Sequence, residues 1–332
     1  MKNILLIQTG GTIAMDASRD NSPSLNASKW SNIIDHAVAE LSDIAVVEKV
    51  KLFLEDSSDI NKKHWTALAQ HIDQQYESYD GFVILHGTDT MAYTASALSF
   101  ALQNIAKPVI LTGSQVPMSN IRSDAHRNLI NAIEIATLDL PEVAVCFNDH
   151  VYLGNRATKM SIGNFNAFSS PNYPPLAKVG LNIELSNHLR QPGHRLKLSA
   201  SFANDLFLLK LYPNINPGML RQISFNNLRA LVIEAFGSGN FPVNGSQSLI
   251  PFFKRCLASD TLLIITSQAA YDSVDLSKYK AGRKAKRLGA LSAKDMTTEA
   301  TLTKLMYLLA KHHDNTDVAK YFNSNLAGEL TN

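Results

Sequence analysis

Ile4-Leu5-Leu6-Ile7-Gln8-Thr9-Gly10-Gly11-Thr12 is the stretch whose reading decides the fold. Four unbroken apolar residues read as a short strand buried on both faces, and the glycine pair ends it in a turn. The same design returns along the chain. A strand over 44–54 runs into Glu55-Asp56-Ser57-Ser58-Asp59, Phe82–Leu85 into His86-Gly87-Thr88-Asp89-Thr90, and Val109–Leu111 into Thr112-Gly113-Ser114-Gln115. Val143–Phe147 closes the series. Helical patterns lie between: Ser28 caps a helix whose Trp30, Ile33, Ile34, Ala37, Val38 and Leu41 share a face. Trp65, Leu68, Ala69, Ile72 and Tyr76 mark a second, residues 90–103 a third, and Ala125, Leu129, Ala132, Ile133 and Ala136 a fourth. Strands alternating with helices predict parallel strands joined by crossover helices, an α/β sheet covered on both faces.

Beyond a short strand at 151–153 the pattern breaks. Residues 155–180 are rich in Asn, Ser, Gly and Pro and read as a long irregular excursion, and 186–204 suits a linker. The alternation resumes with strand 206–211, helix 217–225, strand 230–234, helix 246–257, strand 261–265 and a helix over about 296–311 capped by Asp295. The expectation is a larger N-terminal α/β domain over 1–190, mainly a parallel sheet flanked by helices. A linker over 191–204 leads to a smaller C-terminal domain over 205–332, again a parallel sheet with helices.

The 332 residues, 45% of them hydrophobic, are enough for two cores. Lys and Arg number 31 against 29 Asp and Glu, a balance of +2 that excludes a protein built on bulk charge, such as a general nucleic-acid binder. Two cysteines, Cys146 and Cys256, each in an apolar stretch, read as buried thiols rather than a disulfide framework. No apolar run approaches the ~18 residues of a membrane span. The N-terminus reaches Gln8 after four apolar residues, too few for a secretory segment. A soluble cytoplasmic protein is the expectation, with no membrane and no nucleic acid among its partners.

In parallel α/β sheets ligands bind beyond the carboxyl ends of the strands. Here those ends carry hydroxyl residues beside small ones. Glycines let backbone N–H groups approach a ligand, and helix starts point N–H groups at an anion. The combination suits a small, polar, carboxylate-bearing ligand. Neither nucleotide-loop motif is present, nor a nucleophile elbow, nor a zinc motif. Thr88 is followed directly by Asp89, and Asn155-Arg156-Ala157-Thr158-Lys159 brings cations into a domain with few charges. A threonine hydroxyl is inert without a nearby base, and a lysine that loses its proton supplies one. Composition and spacing permit a relay in which Asp89 orients Lys159 and Lys159 activates a threonine.

Four motifs in order, Thr9-Gly10-Gly11-Thr12-Ile13, Asp56-Ser57-Ser58-Asp59, His86-Gly87-Thr88-Asp89-Thr90 and Asn155-Arg156-x-Thr158-Lys159, resemble bacterial L-asparaginases of the cytoplasmic type I group. The likeness extends through residues 93–100 and 108–115 and returns in Met296-Thr297-x-Glu299-Ala300-Thr301-Leu302. The resemblance implies hydrolysis of L-asparagine to L-aspartate and ammonia, with no cofactor and no metal. It matches Thr12 to the family's first threonine, usually assigned as nucleophile, and Thr88, Asp89 and Lys159 to its second catalytic group. Asp56, Ser57 and Ser58, with Thr88 and Asp89, match the substrate-binding positions. It further implies a homodimer or homotetramer, with Asn240 in Gly237-Ser238-Gly239-Asn240 reaching a neighbouring subunit's site.

Departures from the family are equally visible. No tyrosine stands between residues 13 and 28, where a mobile loop of the family carries one, and Ser22 falls near its place. Glu234 stands where a basic residue of a regulatory site is expected, so that site is not carried over. Lys278, Lys280, Arg283, Lys284, Lys286 and Arg287 form a stretch without an acidic residue, read as a solvated basic loop. The rival readings are a relative using glutamine, D-asparagine or a peptide-borne amide, and a non-catalytic amino-acid-binding protein of the same fold. Archaeal amidotransferase subunits share the threonine motifs but carry an added N-terminal domain; a chain that starts at its first strand is not expected to be one.

Overall fold

The computed structural model describes residues 1–16, 24–25, 41–193 and 195–331. The helix expected after Ser28 lies outside the described residues up to position 40, as does Ser22. The chain divides into two compact units, Met1–Ala200 and Ser201–Asn332.

In the first unit, β1 (Asn3–Gly10) is buried at every position after Asn3 because it lies between two parallel neighbours, β2 (Val46–Glu55) and β3 (Gly81–Leu85). β4 (Val109–Thr112) and β5 (Val143–Phe147) extend the parallel sheet beyond β3. β2 is the edge strand; its Glu48, Lys49 and Lys51 put charge where an open edge would otherwise invite another chain. From β1 the chain first adds β2 on one side and then β3 on the other, so the direction of winding reverses between β1 and β3. Such a switch point opens a crevice at the carboxyl ends of the two strands.

Helices α1 (Lys62–Gln75), α2 (Met91–Ala101) and α3 (Ala125–Ala136) fall where the 3.6-residue spacing predicts them. Asn61 starts α1: its side chain accepts from the Lys63 N–H at 3.1 Å, while His64 Nδ1 accepts from the Asn61 N–H. α2 is buried on nearly every side, which its Ala, Ser and Thr residues permit by letting backbones come close. Leu129, Ala132 and Ile133 of α3 join Ile4, Leu6, Val83, Leu85 and Ile110 in one core.

The sheet continues differently from the expectation. β6 (His150–Leu153), β7 (Ala177–Val179) and β8 (Ile183–Leu185) add to β5 in antiparallel fashion. Part of the region read as irregular is therefore ordered sheet. Its strands are two or three residues long, too short for an alternation to register. Within it Thr158–Lys159 pairs antiparallel with Phe168–Ser169, setting Lys159 opposite Phe168.

The second unit carries four parallel strands in chain order, β9 (Leu206–Lys210), β10 (Ala230–Ala235), β11 (Leu262–Ser267) and β12 (Leu291–Ser292). Leu231, Ile233, Leu263 and Ile265 pack with Phe252 and Phe253. The helices are α4 (Pro217–Leu220), α5 (Ile250–Ala258), α6 (Lys280–Leu288), α7 (Thr298–Lys311) and α8 (Asn315–Phe322). Three readings change here. The helix expected over 217–225 stops after one turn, before Ser224-Phe225-Asn226-Asn227, residues that compete with the backbone or lose rotamers in a helix. The basic stretch is a helix rather than a loop: Ala281 and Ala285, four apart, are buried while the cations point outward. Thr297, not Asp295, caps α7, accepting from the Ala300 N–H at 3.1 Å; the Asp295 carboxylate accepts instead from the N–H and hydroxyl of Thr331.

Candidate active site

The switch point sets the loops after β1 and β3 side by side, and glycines bring them into backbone contact. Gly10 and Gly11 both take positive φ, 110° and 85°, which glycine alone adopts freely. A Cβ on Gly11 would lie 2.3 Å from the Cα of Gly87; one on Gly87 would lie 2.6 Å from the Cβ of Ser57. The segments carrying Thr12, Ser57 and Thr88 thus touch through atoms that no larger residue leaves room for. Thr12 is half-buried and opens a single 3₁₀ turn, Thr12–Ala14. Thr9 ties its loop to β3 by donating to the Leu85 carbonyl at 2.7 Å.

Ser57, Ser58 and Asp59 form another 3₁₀ turn, capped by Asp56. The Asp56 carboxylate accepts from the Ser58 hydroxyl at 2.7 Å and from the Ser58 N–H at 2.8 Å, and these two donors hold its pKa below the usual carboxylate value. Ser57 is buried, and its carbonyl accepts from the Thr90 hydroxyl at 2.6 Å. Thr90 stands at the start of α2 and makes no cap with its side chain, so that hydroxyl is spent on joining two loops.

Lys159 reaches this edge from the two-stranded ribbon. Its Nζ donates to Thr88 Oγ1 at 2.8 Å and to Asp89 Oδ1 at 2.6 Å. Thr88 is 5% exposed, whereas the Asp89 side chain faces solvent. The Thr88 hydroxyl in turn donates to Gln115 Oε1 at 3.2 Å. Gln115 is held in place by Asp124, whose carboxylate accepts from its N–H, and its own amide donates to the carbonyls of Ser161 and Asn164.

The structure therefore joins Thr88, Asp89 and Lys159 directly and sets the Thr12 and Ser57 loops against them. Asn240 belongs to the second unit. It closes a tight turn against Phe236 by two backbone hydrogen bonds, and with Ser238, Tyr271, Lys278 and Tyr279 it lines a cleft of about 530 Å³. Among the described residues, no group of three or more His, Cys, Asp or Glu side chains is placed to hold a metal, and no helix is long and apolar enough to cross a membrane. Gln115 and Asp124 were invisible as site residues in the sequence, where one is the tail of a strand-end motif and the other a helix flank. His86, part of the second threonine motif, has no role in the sequence reading; it is wholly buried, and burial pulls its pKa down to about 4.

A buried threonine hydroxyl bonded to a lysine, itself paired with a carboxylate, at the switch point of a parallel sheet, is the constellation of an enzyme that activates a hydroxyl. The family model for "Asparaginase, N-terminal" matches residues 3–191, and that for "Glutaminase/Asparaginase C-terminal domain" matches 205–322. The chain is 37% identical to L-asparaginase 1 of Escherichia coli strain K12 over 336 aligned residues, which cover 99% of this chain and 98% of that one. The solved thermostable L-asparaginase from Thermococcus kodakarensis superposes with a TM-score of 0.90 at 35% identity, and L-asparaginase I from Vibrio cholerae with 0.88 at 35%, each covering 99% of both chains. The chain belongs to the asparaginase family, enzymes that hydrolyse amides.

Proposed function

We propose that this protein hydrolyses L-asparagine to L-aspartate and ammonia through a threonine ester. The observation that carries the proposal is the Lys159 amine within hydrogen-bond reach of both Thr88 and Asp89, beside the loop of Thr12. In this reading Thr12 Oγ attacks the side-chain carboxamide carbon. Its proton passes to the Thr88–Lys159–Asp89 group, where Lys159 in its neutral form is the acceptor and Asp89 orients it. The tetrahedral oxyanion forms against backbone N–H groups of the Thr12 and Thr88 loops. Its collapse breaks the C–N bond, and the amide nitrogen takes a proton as it leaves as ammonia. A water then attacks the ester carbonyl, gives up its proton by the same route, and frees aspartate and Thr12.

Asp56, Ser57 and Ser58 are the proposed binding groups for the substrate's amino acid end. Here the Ser58 hydroxyl donates to Asp56, so a substrate carboxylate would compete with Asp56 for that donor. Asp89 supplies a charge for the ammonium group. The names of the relatives and the resemblance support this assignment; a cytoplasmic location, and a homodimer or homotetramer in which Asn240 serves a neighbouring subunit, rest on the resemblance alone.

Ammonia release by purified protein from L-asparagine, L-glutamine and D-asparagine tests the proposal, with Thr12→Ala alongside. The expected result is turnover of L-asparagine first among the three and its loss in Thr12→Ala. A folded protein that leaves all three amides intact would overturn it in favour of an amino-acid-binding protein.

A further inference from the structure

His86 is wholly buried and sits in a directed chain of hydrogen bonds. Its Nδ1 lies 2.7 Å from the Gly87 carbonyl oxygen, which can only accept, so Nδ1 carries the proton. Its Nε2 lies 2.9 Å from Thr94 Oγ1 and, in the neutral ring, must accept from that hydroxyl. The Thr94 oxygen then accepts from the Trp65 indole N–H at 3.0 Å. Every bond has one donor and one acceptor when the chain runs from Trp65 through Thr94 and His86 to Gly87. A doubly protonated ring would face the Thr94 oxygen with an N–H from each side. Trp65 on α1 and Thr94 on α2 are both buried, so the chain is anchored in rigid helices.

The Gly87 carbonyl belongs to the peptide unit that also carries the Thr88 N–H. In a planar trans peptide these two groups point in opposite directions. Holding the carbonyl against the buried imidazole therefore aims the Thr88 N–H away from the interior. We propose that Trp65, Thr94 and His86 are positioning residues: they lock the Gly87–Thr88 peptide so that the Thr88 N–H is fixed as a donor to the oxyanion of the reaction. This rests on the function proposed above, and it adds three residues that do not touch substrate.

A donor that matters only as negative charge develops acts on kcat rather than KM. Full loss of such a donor costs about a hundred- to a thousandfold; a misaimed one costs less. Thr94→Val keeps the shape and removes the hydroxyl. Its kcat on L-asparagine is expected to fall about ten- to a hundredfold with KM within about threefold, and Thr94→Ser to restore kcat to within about threefold. Nitrogen-15 NMR of labelled histidines reads the ring directly, with His86 assigned by its loss in His86→Asn. Wild type and Thr94→Ser are expected to hold the neutral Nδ1–H tautomer that the Gly87 carbonyl requires. An unchanged kcat in Thr94→Val, a loss carried by KM alone, or a wild-type His86 protonated on Nε2 would each overturn the inference. A wild-type protein inactive on every carboxamide would instead overturn the proposed function, and the tautomer would then decide the hydrogen-bond chain by itself.

Discussion

Gly11 and Gly87 meet backbone to backbone: a single added carbon on Gly11 would stand 2.3 Å from the Gly87 Cα and 2.3 Å from its nitrogen. Neither loop can retreat cheaply. The first is bonded to β2 through Gly11 N–H and the Glu55 carbonyl, and the second is packed against Ser57. Gly11→Ala combines this clash with a φ of 85°. It is expected to cost about 2–4 kcal/mol of stability and to lower activity more than about a hundredfold at a temperature where it stays folded. Gly87→Ala meets the Ser57 Cβ at 2.6 Å, an atom fixed by its own backbone, but carries no positive φ, so it is expected to cost less stability than Gly11→Ala while still lowering activity. Urea unfolding and ammonia release on both variants check the order.

Lys159 supplies both the Thr88 and the Asp89 contacts from one nitrogen. Lys159→Met keeps the aliphatic stem and removes the amine. If the amine is the base, kcat falls about a hundred- to ten-thousandfold. Lys159→Arg is not expected to rescue it, because a guanidinium stays charged and cannot take a proton. Thr88→Val should fall into the same range, since the proton path loses its first oxygen. Asp89→Asn should lose less in kcat and more in KM, its carboxylate being exposed and assigned to the substrate ammonium. Steady-state rates on L-asparagine across the four variants sort the roles.

What the sequence made readable follows from periodicity and from local motifs. β1, β3, β4 and β5 are long enough, and buried on both faces, so each shows as an apolar run; α1 and α3 bury residues at i, i+3 and i+4 and show as well. The strand ends carry hydroxyls and a carboxylate in adjacent residues, which marks Thr88 and Asp89 as candidates, whereas Thr12 and Ser57 take their roles from the family resemblance. Lys159 stands out by its motif and its charge-poor surroundings. What stayed hidden depends on contacts between distant segments. His86 reaches Thr94 and Trp65 on two different helices, and Gln115 meets Ser161 and Asn164 across 46 and 49 residues. No spacing rule encodes such pairs. The antiparallel β7 and β8 are only three residues each, and the basic helix α6 hides its period behind two small alanines.

The buried imidazole also predicts how acid acts on the fold. Burial lowers the His86 pKa from the ordinary 6.5 to about 4, against the opposing pull of the Gly87 carbonyl. Between those values the unfolded chain binds a proton at this position and the folded chain does not. Stability is therefore unaffected by this group above pH 6.5, falls as the pH drops toward about 4, and levels off below it. The full effect is about 3 kcal/mol. His86→Asn removes the titrating group while keeping a side-chain N–H donor. Its urea midpoint is expected to decline less than wild type between pH 6.5 and 4, although it starts lower because Thr94 loses an acceptor.

The second unit offers a test of how its last residues are held. Lys304 and Glu329 are fully buried and paired, and Lys304 Nζ also donates to the carbonyls of Phe322 and Ser324 at 2.8 and 2.6 Å, capturing the end of α8. The Glu329 carboxylate accepts from the N–H groups of Leu326 and Ala327. Burial pulls the Lys304 pKa down, and the Glu329 charge pulls it back. Removing one partner leaves the other as an uncompensated buried charge, so Lys304→Met and Glu329→Leu are each expected to cost about 3–5 kcal/mol. In many proteins an apolar pair replaces a buried ion pair at little cost. Here the double variant should recover only part of the loss, because Glu329→Leu also strands two backbone N–H groups and Lys304→Met strands two carbonyls. Urea unfolding of the two single variants and the double gives the coupling directly. A double variant as stable as wild type would mean that those backbone groups find water when the pair is gone, and that the ion pair adds nothing net to holding the final residues.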